Sequence, residues 1–271
     1  QDFYDHSTQL WLDVWGEHMH HGYYGADGTE RKENLQAQID LVEEVLHWGK
    51  VESARRILDV GCGVGGSARL LASWFGAEVL GLTLSPVQAK NAEDYTRQCN
   101  LQERVKFRVQ DMMTLTDTDG TFDLIWSLES AEHIENKRGL LEMFYKQLEP
   151  GGKFLMVTWC HRITPPQLNE KEQALLQSIY NIYCLPPMNS RADYQQLAQE
   201  TGFINVKTAD WSRAVEPFWS AVIQSAMNWR SLRGLLRSGW STIKGAYAMR
   251  FMQKGFRKGV INYVLIQGQK P

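Results

Sequence analysis

Cysteine is scarce in this 271-residue chain: Cys62, Cys99, Cys160 and Cys184 are its only four, and no two stand in a CxxC pair. That excludes a disulfide framework and a cysteine-based zinc site, and points to a reducing compartment, cytoplasmic or plastid-like. No stretch approaches the ~18 consecutive apolar residues of a membrane-spanning helix, and neither internal repeats nor low-complexity tracts occur. Acidic residues are missing from Pro217 to Pro271, which holds nine lysines and arginines. The preceding residues carry 20 basic against 31 acidic groups, and the net charge is −2. So modest a charge argues against nucleic acid as a partner. In the basic tail, Phe218, Trp219, Val222, Ile223, Met227, Trp229 and Leu232 recur at helix-like spacing. Either a lid helix packed on the core or a peripheral contact with anionic membrane lipid fits that pattern.

What the chain does have is alternation. Residues 30–49 read as an amphipathic helix through Leu35, Ile39, Leu41, Val42, Val45 and Leu46. Strands are predicted over Arg56–Val60, Glu78–Thr83, Val105–Val109, Phe122–Ser127 and Lys153–Trp159. Between them, Ser67–Trp74, Pro86–Cys99 and Lys137–Leu148 read as helices. Ser85 before Pro86 is a start signal, and Glu149-Pro150-Gly151-Gly152 is a stop before the fifth strand. Beyond Trp159 the alternation breaks: Gln167–Tyr183 and Ala192–Thr201 are helical, Phe203–Ala209 and Gly259–Gln267 are strands, and Trp219–Phe256 is a helical insertion. The expected fold is α/β, a Rossmann-like, seven-stranded, mostly parallel sheet with helices on both faces. An N-terminal helical cap (1–50) precedes the core (51–160), and cap helices with the last strands (161–271) follow it.

The run Ile57-Leu58-Asp59-Val60-Gly61-Cys62-Gly63-Val64-Gly65-Gly66 reads as a buried strand that breaks into a glycine turn and opens a helix at about Ser67. Such a turn lets the backbone approach a ligand, and the helix start presents unpaired N–H groups to it. Dinucleotides and S-adenosylmethionine (SAM) both use this arrangement. A nicotinamide enzyme normally ends its second strand in Asp or Glu to hold the ribose; here that strand ends in Thr83. After the third strand, Gln110-Asp111-Met112 offers an acid and an apolar group suited to an adenine. Taken jointly, these features favour SAM.

Together with the EPGG stop, they resemble class I SAM-dependent methyltransferases. The resemblance sharpens at residues 3–25, from Phe3-Tyr4-Asp5-His6-Ser7-Thr8-Gln9-Leu10-Trp11 through Trp15-Gly16-Glu17-His18-Met19-His20-His21-Gly22-Tyr23-Tyr24-Gly25, and at Thr83-Leu84-Ser85-Pro86-Val87-Gln88, Thr158-Trp159-Cys160-His161-Arg162, Ala209-Asp210-Trp211-Ser212 and Pro217-Phe218-Trp219. There, and along essentially the whole chain, the sequence is similar to the γ-tocopherol C-methyltransferase family. Some plant alkaloid N-methyltransferases are similar throughout as well. Two departures stand out: Ser130-Ala131-Glu132-His133-Ile134 replaces a family SGEHM, and residues 112–121 lack the usual proline. The resemblance implies SAM as cofactor, with Asp59, Gly61 and Gly63 at its methionine end, Thr83 and Gln88 at the ribose, and Asp111 and Met112 at the adenine. Leu128 would then line the site near the sulfonium. The acceptor implied is a small apolar aromatic molecule, a prenylated phenol or chromanol methylated on a ring carbon. The alternative is N- or C-methylation of an indole- or alkaloid-like compound.

Attack by an aromatic carbon is helped by ionising a phenol of pKa ~10, which calls for a base close to the hydroxyl. Histidines suit this role: among His18, His20, His21 and His133, the positions of His133 and His21 rank first. Glu132, like Glu129, orients a histidine or the substrate hydroxyl, or else caps the next helix. Glu17, His18, His20 and His21 match no structural zinc spacing, so no metal is expected.

Overall fold

The computed structural model describes residues 16–116, 120–162, 166–226 and 240–271, without the side chains of 222–226 and 240–248. Helix α1 (Asn34–Gly49) turns Ala37, Leu41, Val42, Val45 and Leu46 inward, the stripe that a 3.6-residue period produces. The core follows as β1 (Arg56–Val60), α2 (Gly66–Phe75), β2 (Glu78–Thr83), α3 (Pro86–Gln98), β3 (Val105–Val109), β4 (Phe122–Leu128), α4 (Lys137–Gln147) and β5 (Leu148–His161). After it come α5 (Glu170–Tyr183), α6 (Arg191–Thr201), β6 (Ile204–Asp210), α7 (Ser212–Val215), α8 (Pro217–Ala226), α9 (Trp240–Arg257) and β7 (Ile261–Gln269). The helix starts are chemically specified. Ser85 accepts a hydrogen bond from the Gln88 N–H ahead of Pro86, and Asn136 accepts from Gly139; Asn169 and Ser190 each form a capping box.

One seven-stranded sheet results, in the order β3-β2-β1-β4-β5-β7-β6. All neighbours are parallel except β7, which runs antiparallel to both β5 and β6. Alternate strand residues feed two separate cores. Ile57, Leu124, Trp126, Val157 and Tyr263 pack with α1, α2, α5 and α9 on one face. Leu58, Ile125, Phe154, Met156 and Val264 pack with α4 and α6 on the other.

One expectation needs correction. The EPGG stop ends α4, but the fifth strand does not wait for Lys153. Leu148 already pairs with Phe122, Lys153 pairs with Leu124, and the residues between them bulge out of the ladder. Gly151, at φ 80°, makes that bulge affordable, and its N–H donates to the Lys270 carbonyl at 2.9 Å. The described parts of the helical insertion are helical, α8 and α9. Between them Arg230, Arg233 and Arg237, with Met227, Trp229 and Leu232 of the membrane-contact expectation, fall outside the described residues. Of the remaining cations, Arg257 pairs with Glu216 at 3.0 Å. No helix among the described residues is long and apolar enough to cross a membrane.

The β1–α2 turn is tight because it abuts the end of β4. A Cβ on Gly61, at φ 74°, would lie 2.2 Å from the Ser130 Cβ. Ser130 is itself fixed, its hydroxyl donating to the Val60 carbonyl at 2.7 Å. Gly61→Ala is therefore expected to cost roughly 2–5 kcal/mol, summing left-handed backbone strain and overpacking. Gly76→Ala, at φ 64° with nothing within 4 Å, should cost only about 1–2 kcal/mol. Urea unfolding of the two variants separates the terms; equal losses would mean that contact with Ser130 is not the constraint.

Candidate active site

A cavity of about 630 Å³ opens beyond the carboxyl ends of β1, β2 and β4, where the strand order reverses about β1 and a doubly wound sheet leaves its crevice. Its floor is the turn Asp59–Val64 with Gly66 and Ser67, and its near side is Leu82–Ser85 with Gln88. Gln110–Met113, Leu128–Ser130, Glu132–Asn136, Trp159, Tyr183 and Cys184 complete the wall, and residues 17–20 lie across it. Asp59, Gly61, Gly63, Thr83, Gln88, Asp111, Met112 and Leu128 are thus brought together in one cavity.

The floor has unspent bonding capacity. Asp59 is buried, its Oδ2 has no hydrogen-bond partner, and burial lifts its carboxyl to about pH 7 against one backbone hydrogen bond from Ala68. No side chain caps α2, whose N-cap Gly65 is left-handed, and a Cβ on Gly63 would find only Met19 Sδ within reach, at 3.8 Å. A group with a cationic centre and an extended backbone-like tail fits that space. On the near side the polar groups satisfy one another: Thr83 Oγ1 donates to Gln88 Oε1 at 2.8 Å and accepts from the Ser85 N–H at 3.2 Å. Asp111 turns one oxygen back to the Met113 N–H at 2.9 Å, which fixes the short turn carrying Met112.

The segment crossing the cavity is strapped down from several sides. Arg69, buried in α2, donates to the Val64 carbonyl at 2.7 Å and to Glu17 at 3.0 Å. Gln38 of α1 donates to the carbonyls of His18 and His20. Glu129 receives the His21 backbone N–H at 2.7 Å and its Nδ1–H at 2.8 Å.

The histidines divide between wall and interior. His18 and His20 line the cavity with their rings 5.4 Å apart. His18 is pushed down to about pH 3 by burial, with His20 and Arg69 adding to it; burial lowers His20 too. His20 donates Nδ1–H to the His21 carbonyl at 2.8 Å, and its buried Nε2 has no partner. His133 lines the cavity and is lowered to about pH 4 by burial and Lys137. His21 lies behind the wall. Its ring is fully buried among Trp159, Phe218, Trp219, Phe256 and Tyr263, with centroids 4.8–6.0 Å away. Adjacency to His20 in sequence does not put it in the cavity, because the aromatic cores of α8, α9 and β7 claim its ring.

Glu132 also lines the cavity; burial and the nearby Glu129 raise it to about pH 7, and it accepts from Thr158 Oγ1 at 2.8 Å. The helix-cap alternative for Glu129 and Glu132 fails, since Asn136 caps α4. Trp159, Tyr183 and Cys184 were not legible as site residues. They stand 23, 47 and 48 residues beyond Asn136, the last residue of the preceding lining loop, and only the packing of β5 and α5 delivers them. Among the described residues no His, Cys, Asp or Glu cluster of three could hold a metal ion.

The sheet order, the glycine turn after β1 and the cavity over the switch point define a class I methyltransferase fold. Comparison with known proteins agrees. A family model described as mycolic acid cyclopropane synthetase matches residues 1–216. A rice protein named probable tocopherol O-methyltransferase, chloroplastic, is 42% identical over 99% of this chain and 76% of its own. Norajmaline N-methyltransferase from Rauvolfia serpentina is 29% identical over 99% and 96% of the two chains. A putative sarcosine dimethylglycine methyltransferase from Galdieria sulphuraria superposes with a TM-score of 0.84, covering 98% of both chains at 23% identity, which speaks for the fold. The chain belongs to the mycolic acid cyclopropane synthetase family, in its tocopherol-methyltransferase-like branch. It is an enzyme, a methyltransferase that uses SAM.

Asp59 generates a prediction with a definite sign. An unfolded Asp ionises near ~3.9, so with the folded value at about 7 stability is lost as pH rises from about 4 to 7 and stays lost above. Asp59→Asn removes that penalty. Thermal melting should show the variant more stable than the parent at pH 8 and nearly equal to it at pH 4, while SAM affinity measured by calorimetry falls at least tenfold. Destabilisation at pH 8 would mean that the carboxylate already has a partner in the free protein.

Proposed function

We propose that this methyltransferase acts on a prenylated phenol of the chromanol type and delivers the methyl group to a ring carbon. What carries the reading is the 42% identity, along nearly the whole chain, to a protein named for tocopherol methylation. The chemistry of the cavity wall agrees with it: aromatic and apolar groups from Trp159, Tyr183, Ile134 and Met113 stand beside neutral imidazoles. The chloroplastic name of that relative suits the reducing compartment expected from the cysteines, and of the two alternatives, cytoplasmic and plastid-like, it favours the second.

In this reading Asp59, Gly61 and Gly63 hold the methionine end of SAM, Thr83 and Gln88 its ribose, Asp111 and Met112 its adenine, and Leu128 lines the place of the sulfonium. Bound there, SAM supplies an electrophilic methyl on positively charged sulfur. Asp59 meets the cationic end, exchanging a costly buried proton equilibrium for an ion pair. The strap over residues 17–20 keeps water from the cavity, and the walls hold the acceptor in line.

The remaining work is to raise the electron density of the ring. His20 is suited to take the phenolic proton, because its Nδ1–H is committed to the His21 carbonyl and Nε2 is therefore the accepting nitrogen. His133, kept neutral by burial, and Glu132, poised near pH 7, are the further acceptors on the wall. His21, ranked with His133 from sequence, takes a supporting part, since its ring does not reach the cavity. Loss of the proton pushes charge onto the ortho and para carbons, and the carbon that receives the methyl must then release its own hydrogen as a proton while the oxygen is reprotonated, which restores the phenol. The relative's name specifies O-methylation, so the site of transfer has to be read from the product. Likeness to norajmaline N-methyltransferase supports a second reading, transfer to the nitrogen of an alkaloid-like amine.

Incubating the protein with SAM and γ- or δ-tocopherol should yield a product that NMR shows to be methylated on the ring. His20→Gln should lower kcat roughly 10²–10⁴-fold and leave SAM affinity within threefold. Methylation of amines alone, or of the phenol oxygen, would sink the ring-carbon reading.

A further inference from the structure

Glu129 has a backbone that its side chain does not favour. It follows β4 directly and sits at φ 53°, a left-handed conformation that is strained for a non-glycine residue. Its N–H donates to the Val157 carbonyl at 2.8 Å, which fixes the bend. The bend turns the carboxylate into the protein, where three donors converge on it. Oε1 accepts the His21 backbone N–H and the Tyr263 hydroxyl, both at 2.7 Å. Oε2 accepts the His21 Nδ1–H at 2.8 Å. Three remote pieces of chain, the strap, the end of β4 and strand β7, therefore meet on one buried carboxylate. Burial works to raise its pKa, but His21, through charge and hydrogen bonds, holds it below the usual range.

His21 is gripped at backbone and ring together, so its carbonyl cannot swing. That carbonyl is the acceptor for His20 Nδ1–H. On the other side, Gln38 Nε2 donates to the His20 carbonyl at 2.9 Å, and the Tyr23 N–H donates to the Ala37 carbonyl at 2.7 Å. We propose that Glu129 is the positioning residue of this active site: by fixing His21 it holds His20 in the Nδ1–H tautomer, with Nε2 turned to accept the substrate's proton. The proposal rests on the reading of His20 as the base. Only a carboxylate can serve here, because three N–H and O–H donors point at it. A glutamine would turn its own NH₂ group on one of them.

The charge of Glu129 has a second effect. The titratable groups around His20 are Glu129, which favours its protonation, His21, which opposes it, and His18, with its ring 5.4 Å away and Arg69 behind it. Neutralising Glu129 removes the favourable member and makes His20 less basic.

The test compares Glu129→Gln, Glu129→Asp, Tyr263→Phe and His20→Gln as full-length protein with SAM and a tocopherol acceptor, after melting curves establish folding. Glu129→Gln should lower kcat roughly 10- to 100-fold, leave SAM affinity within threefold, and move the acid limb of the kcat–pH profile to lower pH. Glu129→Asp, which keeps the charge, should recover part of kcat and leave the limb in place. Tyr263→Phe removes one donor and should cost a few-fold in kcat with no displacement of the limb; it carries the test if Glu129→Gln fails to fold, and unchanged kcat in it would then overturn the proposal. A Glu129→Gln enzyme with parental kcat, or with an unmoved acid limb, overturns it outright. His20→Gln separates the two readings. If His20→Gln keeps its kcat, His20 is not the base; if it loses kcat while Glu129→Gln shows an unmoved limb, only the positioning role of Glu129 fails.

Discussion

Strands β1 and β4 lie side by side, yet the helices that follow them pack on opposite faces of the sheet, α2 in one core and α4 in the other. Everything that matters in this protein follows from the crevice this parting leaves at their carboxyl ends. The crevice is narrow at its base, because the turn after β1 is pressed against Ser130, and only glycine permits that approach. Above the base it widens into the cavity, bounded on each side by loops that leave neighbouring strands. A chain that placed α2 and α4 on the same face would close this space with side chains and have no site.

Into that space the fold directs an unusual concentration of ionisable groups, and burial keeps most of them in their neutral forms. Asp59 and Glu132 are raised to about pH 7, while His18 and His133 are lowered to about pH 3 and pH 4. Each group on its own makes folding harder, since every one resists the charge it would carry in water. Neutral imidazole accepts protons, and a carboxyl waiting for a cationic partner binds one strongly. Function accounts for the expense, and the apolar burial of the two cores on either side of the sheet offsets it.

Much of this was legible along the chain. The boundaries of β1, β2 and β3 follow from short apolar runs closed by turn residues, and Ser85-Pro86 set the start of α3 by local chemistry. The residues proposed for SAM, from Asp59 to Leu128, stand at the carboxyl ends of consecutive parallel strands or in the turns and first helical turns after them, so strand order gathers them. The start of β5 was less legible, because a glycine bulge inside a ladder reads from sequence as an end. The acceptor side was read less well. His20 and His21 are neighbours in sequence with the same side chain, and nothing local distinguishes the one on the wall from the one behind it.

Period, punctuation and glycine placement determined the sheet, its helices and the glycine turn at the floor of the cavity, because each depends on residues close in sequence. Tertiary structure alone decided which histidine faces the cavity and what Glu129 holds. His21 and Glu129 are separated by 108 residues, and Glu129 and Tyr263 by 134. A carboxylate bent inward by a left-handed backbone finds its donors only after three distant segments have packed. Hydrogen bonds of that kind depend on position in space, which no local pattern of residues encodes.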